Sequence, residues 1–119
     1  MNNENFNKLT EACCTEIRET LSQKGADYAG LTDRLQNFKD ASAMTGLSQE
    51  QCLFGFVVKH IVAIQDYIGR LDDMNPPSEA QLLEKLGDII CYMVLLKGLL
   101  ADRGIIPEYA ERVGITKWI

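Results

Sequence analysis

The sequence predicts an all-α protein, an antiparallel bundle of about four helices. Three observations predict it. Apolar residues recur every three to four positions over long stretches. Two Ser-x-x-Gln signatures, Ser48/Gln51 and Ser78/Gln81, mark helix starts. No segment alternates apolar and polar residues in the way a half-buried strand would.

The first helix spans about residues 1–23, where Phe6, Leu9, Cys13, Ile17 and Leu21 form one apolar face between charged residues. Lys24-Gly25 is expected to close it, and residues 26–35 read as an irregular segment with a second glycine, Gly30. A short helix over about 35–45 stops at Gly46. Ser48 opens a third helix to about residue 70, and Asp72 to Pro77 is the clearest loop. Ser78 caps a fourth helix over about 78–102, with Glu79 near the positive end of its dipole and Gly104 as its stop. Residues 104–119 form a C-terminal extension in which Pro107 to Arg112 can add one or two turns. Short loops between long helices favour antiparallel packing within one domain of 119 residues.

The fourth helix carries apolar side chains on nearly every side, from Leu82 and Leu83 through Leu86, Ile89, Ile90 and Met93 to Leu100. A helix apolar all round must be covered all round. A chain this short has few elements to do so, which favours a homo-oligomer. The competing possibility is that the first helix and the C-terminal tail wrap it within one chain.

Composition narrows the function. The chain is 46% hydrophobic and 24% charged, a globular balance, with 12 Lys and Arg against 17 Asp and Glu, for a net charge of −5. That balance argues against a nucleic-acid polymer as partner, since gripping a phosphate backbone needs clustered cations. A small anion held by a few local cations stays possible. The first ten residues lack a signal-peptide core, and the longest apolar run, Ile89 to Leu100, is interrupted by Lys97, so no membrane partner and a cytoplasmic location are expected. Cys13, Cys14, Cys52 and Cys91 have no C-x-x-C spacing and read as small buried hydrophobes in a reducing compartment.

Two places put charge on apolar helices. On the third helix, Lys59 and Asp66 are seven residues apart and share a face, while His60 aligns with Ile64 and Tyr67. On the fourth, Glu84 and Asp88 lie one turn apart and Tyr92 continues their row. Carboxylates on a buried helix require cations, hydrogen bonds or a metal, and Lys59, His60 and Lys85 are the candidates to supply the first two. A polar network that merely fixes helix register would look the same in sequence. The connection between the first and third helices adds Lys24, Asp27, Tyr28, Arg34, Asn37, Phe38 and Lys39, groups able to meet a base and a phosphate or to form an ordinary solvated loop. No Gly-rich phosphate loop, zinc spacing or nucleophile elbow is present, and His60 is the single histidine.

The stretches Lys24-Gly25-Ala26-Asp27-Tyr28, Asn37-Phe38, Lys59-His60 with Asp66, and Glu84-Lys85-Leu86-Gly87-Asp88 with Tyr92 resemble small phage and prophage proteins related to the nucleotide-modification-associated domain. The resemblance runs from about Lys24 to Leu100 and implies nucleotide ligands in a viral setting. The segment Glu84 to Asp88 is also similar to the second metal-binding helix of the MazG-like all-α nucleotide pyrophosphohydrolases, which hold Mg²⁺ with a Glu-x-x-Glu pair on one helix and a Glu-x-x-Asp pair on the next. Here position 85 is lysine, and the third helix has no Glu-x-x-Glu. Carboxylates are what hold Mg²⁺ beside substrate phosphates, so replacing them by cations weakens a metal site.

The resulting expectation is a non-catalytic oligomer that binds a nucleotide-derived ligand and needs no cofactor, with sequestration of a host immune signal as its use. Lys59 and His60 would meet phosphate, and Asp66, Glu84 and Asp88 would orient cations or ribose hydroxyls. Tyr28 or Phe38 would stack on a base, and Lys24, Asp27, Asn37 and Tyr92 complete the site. The alternatives are a divergent Mg²⁺-dependent pyrophosphohydrolase with Glu84 and Asp88 as metal ligands, and a protein–protein adaptor with no small ligand.

Overall fold

The computed structural model describes the backbone of residues 1–27 and 33–115 and the side chains of 1–24 and 33–115. Five helices and no strand are present among them: α1 (Asn3–Asp27), α2 (Gln36–Thr45), α3 (Gln49–Gly69), α4 (Glu79–Asp102) and α5 (Pro107–Arg112). The fold is all-α.

Local chemistry accounts for the boundaries. At α3 and α4 the capping boxes form in full. Ser48 Oγ accepts from Gln51 N at 3.1 Å while Gln51 Oε1 accepts from Ser48 N at 2.9 Å, and Ser78 with Gln81 repeats both bonds. Gly46, Gly104 and Gly114 end their helices with φ of 75°, 74° and 82°, the left-handed conformation that glycine adopts without a Cβ clash. Pro107 sits in the first turn of α5, where no amide hydrogen is needed. One boundary differs from expectation: α1 continues through Gly25 to Asp27. A helical glycine costs about 1 kcal/mol relative to alanine, which is too little to end a helix of this length.

The α3–α4 hairpin is the centre of the molecule. Phe38 from α2, Leu53 and Val57 from α3 and Leu99 from α4 form the buried cluster, with Leu35, Tyr92, Leu95 and Leu96 packed around it. Each fully buried side chain of this size contributes about 2 kcal/mol of transfer free energy. Beyond that hairpin the helices are joined edge to edge: α2 lies against α3, while α1 and α5 each lie against α4. Because α1 does not reach α2 or α3, the arrangement is open, with a radius of gyration of 16.9 Å. A compact chain of this length would measure about 13.5 Å.

Ion pairs fasten the open end of the hairpin. Arg103 Nη1 donates to Glu50 Oε2 at 2.5 Å, tying the end of α4 to the start of α3. Lys39 of α2 pairs with Asp33 and lies 3.4 Å from Asp102 Oδ2 of α4. The Lys39 hydrogen bond, helped by the Leu35 amide, holds the Asp33 carboxyl below the ordinary carboxylate value, and Asp33 in turn raises the Lys39 ammonium. The signs of these shifts define a pH window. Asp33 contributes stability above its unfolded value near pH 4 and loses it as pH falls through its lower folded value. Lys39 contributes below about pH 10 and loses its share as pH rises through its higher folded value. The protein is therefore expected to melt about 4 °C above a Lys39→Met variant at neutral pH, since a half-exposed pair is worth about 1 kcal/mol. Calorimetry across pH should show that gap closing as acid protonates Asp33, below the ordinary carboxylate range, and again as alkali deprotonates Lys39, above the ordinary ammonium range.

The sequence contains no uninterrupted apolar run of membrane length, yet α3, at 21 residues, is long and apolar enough by composition to cross a bilayer. The apolar residues of α3 are diluted by Gly55, Lys59, His60 and Gln65, which is why no single run stands out. Core helices of soluble proteins reach the same length and composition.

Candidate functional site

The antiparallel register of α3 and α4 sets Phe56 beside Tyr92 and His60 beside Asp88. Each helix contributes an i, i+4 pair: Phe56 with His60, and Asp88 with Tyr92. His60 Nδ1 stands 3.7 Å from Asp88 Oδ2, with both side chains largely buried. The His60 and Tyr92 rings are 5.2 Å apart and tilted by 41°, and Phe56 and Tyr92 stack in parallel with centroids 6.4 Å apart. His60 Nδ1 is buried and makes no hydrogen bond among the described residues. At 3.7 Å, the Asp88 contact is electrostatic and too long for a hydrogen bond.

Helix α1 brings a cation within electrostatic reach of α4. Cys91, buried on the α1 side of α4, has its thiol pushed up by burial; the Lys24 ammonium opposes that shift and the Asp88 carboxylate adds to it. Phe56 and His60 of α3 and Asp88, Cys91 and Tyr92 of α4 therefore form one neighbourhood, with Lys24 of α1 within electrostatic reach of its Cys91. Together they supply a lysine, an imidazole, a carboxylate and an aromatic pair whose Phe56 ring is partly exposed. Such a set can accept an anion at Lys24, exchange hydrogen bonds at His60 and Asp88, and offer a ring face to a base.

The other residues singled out by sequence are placed elsewhere. Lys59 is exposed and turned about one helical quadrant from His60, as 100° per residue requires. Asp66 pairs with Arg70 at 3.1 Å on the surface. Glu84 is exposed one turn from Asp88, and Asn37 is exposed on α2. Phe38 is 2% exposed and belongs to the core, so its ring has no free face for a base. The Asp27 side chain and Tyr28 lie outside the described residues. Among the described residues, no three His, Cys, Asp or Glu side chains converge as metal ligands. Sequence reasoning missed Phe56; Cys91 is buried as expected, whereas Cys14 is exposed and Cys13 and Cys52 are only half-buried. The spacing from Phe56 to His60 was the available signal, because it sets both residues on one stripe of α3.

A separate open cleft of about 450 Å³ is lined by Ile105, Ile106, Pro107, Glu108, Tyr109 and Arg112 at α5, away from this neighbourhood. Tyr109 there accepts a hydrogen bond from Lys97 Nζ at 3.3 Å, and the Arg112 guanidinium lies 5.5 Å from its ring centre. The Lys97–Tyr109 contact fastens α5 to α4, and the Arg112 contact lies within α5.

Comparison with protein-family models, with curated proteins and with solved structures finds no match to this chain.

Proposed function

We propose that the protein binds a small nucleotide-derived anion at the α3–α4 seam on the side of α4 where Lys24 of α1 acts, and holds it without transforming it. The observation that carries this reading is the contact of His60 with Asp88 beside the Phe56–Tyr92 ring pair, with Lys24 of the neighbouring α1 close enough to act on Cys91. In this reading Lys24 meets a phosphate, His60 and Asp88 share hydrogen bonds with phosphate or ribose, and Phe56 offers its open face to a base. A buried imidazole nitrogen without a hydrogen bond is costly and gains from a ligand that supplies one. The resemblance to nucleotide-associated phage proteins supports the ligand class, and sequestration of a host immune nucleotide is the use we assign to it.

The test is a melting-temperature screen with ATP, cyclic dinucleotides and ADP-ribose, each with Mg²⁺ or with EDTA. A ligand at 100 times its Kd stabilises the folded state by about 2.7 kcal/mol, a rise of roughly 10 °C. The shift should persist in EDTA, the ligand should be recovered intact, and Lys24→Ala or His60→Ala should weaken binding at least about tenfold while circular dichroism is unchanged. Lys59→Ala should leave affinity unaltered, because that side chain points away. Pyrophosphate release that requires Mg²⁺ and disappears in Asp88→Asn would replace this reading with the pyrophosphohydrolase. The absence of any shift would leave the adaptor.

A further inference from the structure

Among the described residues, more large apolar side chains are exposed than fully buried. On α3, Phe54, Val58, Ile61 and Ile68 fall on one stripe with Gln65, at alternating spacings of four and three. On α4, Leu83, Leu86, Ile90 and Met93 do the same, with spacings of three, four and three. All eight apolar side chains are between 38% and 63% exposed, whereas the buried cluster holds four residues. The alternation of four and three is the pattern by which one helix seats its side chains between those of another. Neither stripe is needed within the chain, because Leu53, Val57 and Leu99 make the α3–α4 contact from other faces.

We infer that both stripes are covered by a second copy of this chain, which packs its own α3 and α4 against them to complete a four-helix core between subunits. This inference does not depend on the ligand reading. The area fits: with Val62 and Val94 added, about half of each of ten large side chains is open. At roughly 150 Å² per side chain that is on the order of 700 Å². One partner in a stable dimer contributes about 800 Å², and the largest apolar patch of an ordinary monomer is about 300–600 Å². The charge pattern fits as well. The stripes carry no ionised group, so two copies of net charge −5 can meet there without placing like charges in contact. A bilayer-spanning α3 fits less well, because Lys59 and Asp66, on the side of α3 away from the stripe, would also have to enter hydrocarbon, where such groups are costly. The same face on both copies makes the contact isologous, so it closes on itself instead of growing into a fibre.

Sedimentation equilibrium of the full chain from micromolar to millimolar concentration tests this. The expected mass is at least twice the 13.3 kDa of one chain. Ile61→Glu and Ile90→Glu should each raise the dissociation constant by more than roughly thirtyfold, the effect of a charge at the centre of a desolvated contact. Met74→Glu, in the α3–α4 loop and almost fully exposed, should not change it. If a glutamate variant fails to fold, Ile61→Ser and the concentration dependence of the unaltered chain carry the same test. A monomer at millimolar concentration overturns the inference. So does an assembly indifferent to both stripe variants, or a monomer that cosediments with phosphatidylcholine–phosphatidylglycerol vesicles.

Discussion

Replacing Phe38 by alanine is expected to destabilise the protein by about 3–4 kcal/mol, lowering Tm by roughly 14 °C in a domain of this size. Phe38 is the residue through which α2 enters the core, and it meets Leu53, Val57 and Leu99 there. Otherwise α2 is held by the Lys39 ion pairs and by contact with α3, and its start at Leu35 makes no side-chain cap. Removing the ring therefore loses its transfer free energy, leaves a cavity against three aliphatic side chains, and deprives a ten-residue helix of its anchor. Chemical denaturation followed by far-ultraviolet dichroism measures this. The same variant separates a core residue from a stacking one. After correction for the unfolded fraction, ligand affinity in Phe38→Ala should be unchanged; a selective loss of binding with native stability would place the ring in the site.

The second large effect is expected at Leu53, which has no exposed surface at all. Leu53→Ala should cost about 3 kcal/mol, near the low end for such truncations, because the cluster is small and its rim of Leu35, Leu95 and Leu96 can move inward. Since Leu53 and Phe38 belong to the same packed cluster, the double variant should be less destabilised than the two single values added together. Denaturant midpoints for the two single variants and the double variant measure that difference. An additive result would mean that the two side chains pack independently, contrary to their shared cluster.

Much of the architecture was legible because it depends on short-range chemistry. The two serine caps fix the starts of α3 and α4 within a residue, and Pro107 with Gly114 brackets α5. The meeting of His60 with Asp88 and Tyr92 was also within reach, since it follows from residues spaced four apart on two antiparallel helices. What sequence could not supply was the angle at which each helix presents its faces. Phe38 looked available for stacking because α2 has too few apolar residues to define a buried side. Lys59 and His60 were already on different faces by the 100° rotation between neighbours, but sequence does not say which of the two faces turns to α4. The open packing of α1 was equally hidden. Its stripe of Phe6, Leu9, Cys13, Ile17 and Leu21 announces a partner without saying how much of the helix finds one, and Phe6 and Leu9 stay largely exposed.

Helix α1 touches the rest of the chain along one edge of α4 and carries Lys24 close to its C-terminal end. A rod gripped along one edge keeps more orientational freedom than one gripped on two, and a ligand that needs Lys24 in one place must remove that freedom when it binds. Conformational entropy is thus part of the affinity of the proposed site. Whatever steadies the free half of α1, about 20 Å away along the helix, lowers that entropic cost in advance. By reciprocity, a bound ligand steadies the far end of the rod to the same degree.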